Sequence, residues 1–141
     1  MASILIIDDN GADVDLMREA LREIDVKIEV FSVENAVQGF AFLSKQSGFA
    51  QMPTPDVVLL DINMPVINGL QALRLIRETA DWKRIPVIVW SSSSRREDQI
   101  EALRLGAVEY VVKPADWDGQ VAFAHHLSQV IAEPKSTSGT A

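Results

Sequence analysis

Two hydrophobic patterns alternate along this chain. Ile4-Leu5-Ile6-Ile7, Val57-Val58-Leu59-Leu60 and Ile85-Pro86-Val87-Ile88-Val89-Trp90 are short apolar runs without polar alternation. Such runs fit strands buried on both faces, as in a parallel sheet. Lys27-Ile28-Glu29-Val30-Phe31-Ser32 alternates in part and fits a more peripheral strand, and Glu109-Tyr110-Val111-Val112 gives a fifth. Between the runs, apolar positions take a helical spacing. Val14, Met17, Leu21 and Ile24 predict a helix over 12–24. Ala36, Val37, Phe40 and Leu43 predict a second helix ending at Gly48, and Leu70, Leu73 and Ile76 a third over 69–79. A polar helix over 95–105 stops at Gly106, and the last runs from about Trp117 to Ile131.

Strands alternating with helices through short loops imply βαβ units with right-handed crossovers. The expected fold class is α/β: a doubly wound, flavodoxin-like (βα)5 arrangement in three layers. Its five-stranded parallel sheet takes the order 2-1-3-4-5. One domain is expected over 1–132. Residues 133–141, with Pro, Lys, Ser, Thr and Gly, read as a disordered tail.

This topology gives the polar residues after each strand a common address. Asp8 and Asp9 follow the first strand, Asp61 the third, Ser91 the fourth and Lys113 the fifth. Ligands bind at the carboxyl ends of the strands of an open parallel sheet, at the switch point, here between strands 1 and 3. That brings Asp8, Asp9 and Asp61 together. Three adjacent carboxylates raise one another's pKa unless compensated, and a hard divalent cation such as Mg²⁺ compensates them. With the Lys113 ammonium and the Ser91 hydroxyl, the set suits phosphoryl transfer to a carboxylate nucleophile, Asp61.

Composition narrows the alternatives. The 141 residues carry a formal net charge of −7, which disfavours sequence-independent nucleic-acid binding. The absence of cysteine excludes disulfides, thiolate metal sites and thiol nucleophiles. No apolar run approaches the roughly 20 residues of a membrane span, and no basic segment precedes the first one. The expected location is cytoplasmic.

Four segments together resemble the receiver domain of two-component response regulators: Ile6-Ile7-Asp8-Asp9-Asn10, Leu60-Asp61-Ile62-Asn63-Met64-Pro65 with Gly69, Pro86-Val87-Ile88-Val89-Trp90-Ser91, and Tyr110-Val111-Val112-Lys113-Pro114. The resemblance spans roughly residues 3–132. It implies that Asp61 accepts a phosphoryl group from a sensor histidine kinase. Asp9, Asp61 and the main-chain carbonyl of Asn63 would ligate Mg²⁺, with Asp8 acting mainly through water. Lys113 would pair with Asp61 and then with the phosphoryl group. Ser91 and Tyr110 would be the switch residues, and the Lys113–Pro114 bond would be cis, as is common in the family. The protein would be a signalling switch that promotes its own Mg²⁺-dependent phosphorylation and dephosphorylation, not an enzyme acting on other substrates. Asp8 to Leu21 looks most like the small, stand-alone regulators paired with bacterial phytochrome-type kinases. Ser91 stands where Thr is commonest, Gly11 where related members often have Pro, and Trp90 is a bulky choice before Ser91.

The same residues admit three rival readings. Phosphatases of the haloacid dehalogenase kind carry an Asp two residues after the nucleophile, where this chain has Asn63. A receiver-like binding module without phosphorylation would have lost an acid or the lysine. A piece of a longer regulator is less expected, given Met1 and a complete last helix. A phosphorelay shuttle stays open as an alternative output, passing the signal to another phosphotransfer protein in place of an unknown downstream target.

On the last helix, adjacent His125 and His126 point about 100° apart and read as structural or surface residues. Trp117, Val121, Ala124, Leu127 and Ile131 form the stripe expected to face the sheet. Phe123, Val130 and Ala122 lie off it, which suggests a homodimer or partner surface made by the fourth helix, fifth strand and last helix.

Overall fold

The computed structural model describes residues 2–64 and 66–132, so the expected tail lies outside the described residues. Five strands and five helices alternate: β1 (Ala2–Ile7), α1 (Gly11–Glu23), β2 (Ile28–Val33), α2 (Ala36–Leu43), β3 (Val57–Leu60), α3 (Gly69–Glu78), β4 (Val87–Ser91), α4 (Arg96–Arg104), β5 (Glu109–Val112) and α5 (Trp117–Ala132). All pairings are parallel, in the order β2-β1-β3-β4-β5. Fold class and strand order are those expected from the sequence.

Burial follows position in the sheet. Every residue of β3 and β4 is buried, because each has a strand on both sides and helices on both faces. The edge strands β2 and β5 are largely half-buried. Side chains alternate along each strand, so the core divides in two. Ile4, Ile6, Leu59, Ile88 and Trp90 meet α1 and α5. Leu5, Ile7, Leu60, Val87 and Val89 meet α2, α3 and α4.

Helix starts follow local chemistry. Asn10, Asn35 and Asn68 cap α1, α2 and α3 through their side chains, and Gln71 completes a capping box at α3. Helix α2 ends at Leu43, several residues before the expected stop at Gly48; its C-terminal cap is Ser44.

Helix α5 corrects the expected stripe. Gln120, Phe123, Ala124 and Leu127 are its buried residues, while Trp117 is 42% exposed. Of the expected stripe, Ala124 and Leu127 are buried and Val121 and Ile131 pack against the same core; the apolar face also takes in Phe123, which stacks on Trp90 beneath it. Phe123 therefore belongs to the core. No helix among the described residues is long and apolar enough to cross a membrane.

Candidate functional site

The sheet delivers its polar residues to one edge. The β-ladder runs into the site: the Asp8 N–H donates to the Val33 carbonyl and the Asp61 N–H to the Ile7 carbonyl. Asp8 and Asp61 are therefore fixed by strand pairing and both are buried, whereas Asp9, one residue on, is exposed. Carboxylate oxygens of Asp8, Asp9 and Asp61 lie within 4.8 Å of one another.

Lys113 joins the cluster from the end of β5. Its Nζ lies 2.7 Å from Asp8 Oδ2, 2.8 Å from Asp13 Oδ2 and 3.3 Å from Asp61 Oδ2. The lysine side chain is only 9% exposed, so these ion pairs sit largely out of water. Burial alone would lower its pKa, but the bonds to Asp13 and Asp8 and the charge of Asp61 hold it above the usual range. Burial pushes the Asp8 carboxyl up to about 6; Lys113 and the Asn10 N–H oppose the rise, and the Asp61 charge adds to it.

Asp13 was not singled out from the sequence. It lies 100 residues from Lys113 along the chain. Its sequence signal was an acid in the first turn of a helix, for which the helix dipole is sufficient explanation. Only the packing of α1 beside the end of β5 shows its second partner.

The loop after β3 closes the other side. The Asn63 N–H donates to Asp61 Oδ1 at 3.0 Å, and its side-chain amide reaches Ser91 Oγ at 3.4 Å. Gly69 N–H donates to the Ile62 carbonyl. A Cβ on Gly69 would lie 2.2 Å from the Asp61 carbonyl oxygen, so glycine is what lets α3 start against the acid's own backbone. Val66 in this loop has φ of 69° and is 96% exposed, an unusual backbone for a β-branched residue.

Ser91 is fully buried and its Oγ accepts the Ser93 N–H at 3.2 Å. The Tyr110 hydroxyl donates to the Ser93 carbonyl at 2.7 Å. The fold thus brings Asp8, Asp9, Asp61, Asn63, Ser91 and Lys113 to one edge and ties Tyr110 to the loop after Ser91. No cis peptide occurs among the described residues, so Lys113–Pro114 is trans, contrary to expectation; a trans X–Pro bond is favoured by about 0.5–1 kcal/mol.

The donor set suits a hard cation. Asp8, Asp13 and Asp61 face one ammonium, and Asp9 joins Asp8 and Asp61 in a converging set of carboxylate oxygens.

Comparison with known proteins gives one family. The model of the response regulator receiver domain matches residues 4–122. Response regulator Rcp1 of Synechocystis sp. is 33% identical over 110 residues, 78% of this chain and 75% of its own. The Mn²⁺-bound form of Rcp1 superposes with a TM-score of 0.82 at 28% identity, covering 92% of this chain and 93% of the other. Protein PilH of Pseudomonas aeruginosa is 35% identical over 116 residues, 82% of this chain and 88% of its own. The phosphorylated cyanobacterial phytochrome response regulator RcpA superposes with a TM-score of 0.83 at 30% identity, covering 91% of each chain. The site at the sheet edge is therefore carried on a family scaffold, and the chain belongs to the response regulator receiver domains.

Proposed function

We propose that this protein is a single-domain response regulator in which Asp61 accepts a phosphoryl group from the phosphohistidine of a sensor kinase. The observation that carries the reading is the Lys113 ammonium held among Asp8, Asp13 and Asp61 at 2.7–3.3 Å beside the converging acids. In the transfer, Asp61 attacks phosphorus, the P–N bond to imidazole breaks, and the imidazole leaves with its electron pair. Lys113 counters charge on the transferred oxygens. Asp9, Asp61 and the Asn63 carbonyl would hold Mg²⁺, with Asp8 acting mainly through water. The metal would supply charge neutralisation on the phosphoryl oxygens.

Phosphorylation adds about −1.5 to −2 charge at pH 7. Ser91 then turns its hydroxyl to the phosphoryl group, loosening its acceptor bond from Ser93, and Tyr110 follows through the same loop. The added group biases an equilibrium between existing conformations. The chain acts as a switch rather than an enzyme on other substrates, promoting its own phosphorylation and dephosphorylation. Likeness to RcpA supports a phytochrome-type kinase as donor, and a cytoplasmic location goes with that reading. Output goes to a separate protein or along a phosphorelay. Ile100, Leu103, Val108, Val112 and Trp117 are all at least 40% exposed and make α4, β5 and the start of α5 the proposed dimer or partner face.

Incubation with Mg²⁺ and an acyl phosphate, followed by intact mass, tests the central claim. One phosphoryl group should appear, and Asp61→Asn should remove it. No gain under any condition would favour a binding module that does not take phosphate. Light scattering across concentrations, with and without a phosphoryl mimic, tests the dimer; a monomer throughout would sink it.

A further inference from the structure

Ser91 and Trp90 are neighbours on β4 but face opposite layers, and a second line of contacts leaves the site on the Trp90 side. The Lys113 Nζ lies 4.9 Å from the centroid of the Trp90 ring. That ring stacks on Phe123 at 6.4 Å and 21°. Phe123 stacks in turn on the His126 imidazole at 6.3 Å and 27°. His126 Nε2 lies 2.7 Å from both carboxylate oxygens of Glu109. The line starts at the acid cluster and ends at a half-exposed pair joining α5 to β5.

Two observations mark Trp90 as more than filler. It is fully buried, yet its indole N–H has no hydrogen-bond partner among the described residues. Buried indoles usually find one. No hydrogen bond from the described residues fixes the ring in its plane, and packing against its faces and edges sets its position. The ammonium near it is shared with three carboxylates, so whatever draws Lys113 toward Asp61 also changes what the ring feels.

We propose that Trp90 is a positioning residue for Lys113 and, through Phe123, links the state of Asp61 to the His126–Glu109 pair. The inference rests on Asp61 taking a phosphoryl group, as proposed above. In the unmodified protein the ring quadrupole attracts the ammonium, an interaction that strengthens away from water. A phosphoryl group on Asp61 pulls the ammonium toward the new charge and weakens its hold on the ring. The indole then resettles against Phe123, and the offset stack passes the shift to His126. Coupling of this kind requires a contiguous packed chain with two arrangements, and Lys113, Trp90, Phe123, His126 and Glu109 supply the contiguity.

The test uses the full chain with labelled tryptophan and histidine rings, followed by NMR with Mg²⁺ and beryllofluoride as the acyl-phosphate mimic. Intact mass gives the rate of phosphorylation by an acyl phosphate. In the wild type, the Trp90 indole and His126 ring signals should both shift. Trp90→Leu should slow phosphorylation roughly three- to tenfold, the scale of a lost cation–π contact, and silence His126. Trp90→Phe should restore most of both, and it decides the point if the leucine variant fails to fold. Phe123→Leu should keep the rate within about twofold and still silence His126, because it cuts the line beyond Trp90. An unchanged rate in Trp90→Leu, or a His126 response that survives Phe123→Leu, overturns the proposal. So does a silent His126 in a wild type that takes the phosphoryl group. A wild type that gains no mass refutes the phosphoacceptor reading itself, and the two failures are told apart by mass alone.

Discussion

Helices α1 and α4 both flank the site, and they are held in opposite ways. Helix α1 buries Val14, Met17, Ala20 and Leu21, is capped by Asn10, and carries Asp13 on the Lys113 ammonium. Arg18 further ties it to the Val30 carbonyl of β2. Helix α4 buries only Ala102, has no side-chain capping bond from its N-cap Arg95, whose guanidinium pairs with Glu97 instead, and exposes Ile100 and Leu103 by about half. The Ser93 hydroxyl, donating to Asp98 Oδ2 at 2.6 Å, and the Gln99 side-chain amide, donating to the Ser94 carbonyl at 3.4 Å, fasten its start to the loop after Ser91. The lesson concerns where a change at Asp61 can travel. Segments with few buried apolar contacts open at low cost, so in the proposed switch α4 is the helix free to answer Ser91, while α1 serves as a fixed wall.

That contrast is open to attack. The largest expected effect is a core truncation. Met17→Ala should lower unfolding free energy by about 2–5 kcal/mol in urea titrations, and Leu103→Ala in α4 should change it by no more than about 0.5 kcal/mol. Equal costs would remove the distinction between the helices.

Lys113→Met leaves the buried Asp8 and Asp61 and the half-buried Asp13 without their cation. Metal-free protein at pH 7 should lose about 2–3 kcal/mol, and hydrogen exchange should quicken at the first turn of α1 more than in α4.

Acidity sharpens the comparison further. The folded-state pKa of Asp8 is raised to about 6. The folded protein therefore holds this proton more tightly than the unfolded chain does. The associated stability is complete below about pH 4 and fades as pH rises through 6. Metal-free wild type should lose about 2 kcal/mol through this group between pH 4 and 7. Asp8→Asn should lack that decline, and millimolar Mg²⁺ should suppress it in the wild type. Parallel pH profiles for the two metal-free proteins would contradict the burial argument.

The smallest effect concerns the missing cap. Arg95→Ser should stabilise α4 by about 0.5–1 kcal/mol and slow exchange of its first-turn amides severalfold. No change there would mean that α4 already gains its order elsewhere.

Local pattern was enough for much of this molecule. Apolar runs at 4–7, 57–60 and 85–90 located the three central strands, because strands covered on both faces read as near-continuous apolar runs. The polar residues that end those runs, and Lys113 after the fifth, were legible as one edge once the parallel order was inferred. Asp13 was hidden because an acid in a helix's first turn has an ordinary local explanation. Phe123 was misplaced because a helical stripe read from sequence is uncertain by one position around the helix, and the partner side chain decides.

The sequence by itself determined the alternation of strands and helices, the layered fold and the identity of the acids and the lysine at the strand ends. Those follow from the period of burial and from the chain reversing at Gly, Pro and Asn. Only the tertiary structure decided that Lys113 reaches Asp8, Asp13 and Asp61 together, that Trp90 lies near the same ammonium, and that α4 is loosely held while α1 is not. Contacts between residues 100 positions apart depend on how helices and strands pack, and no local pattern along the chain encodes them.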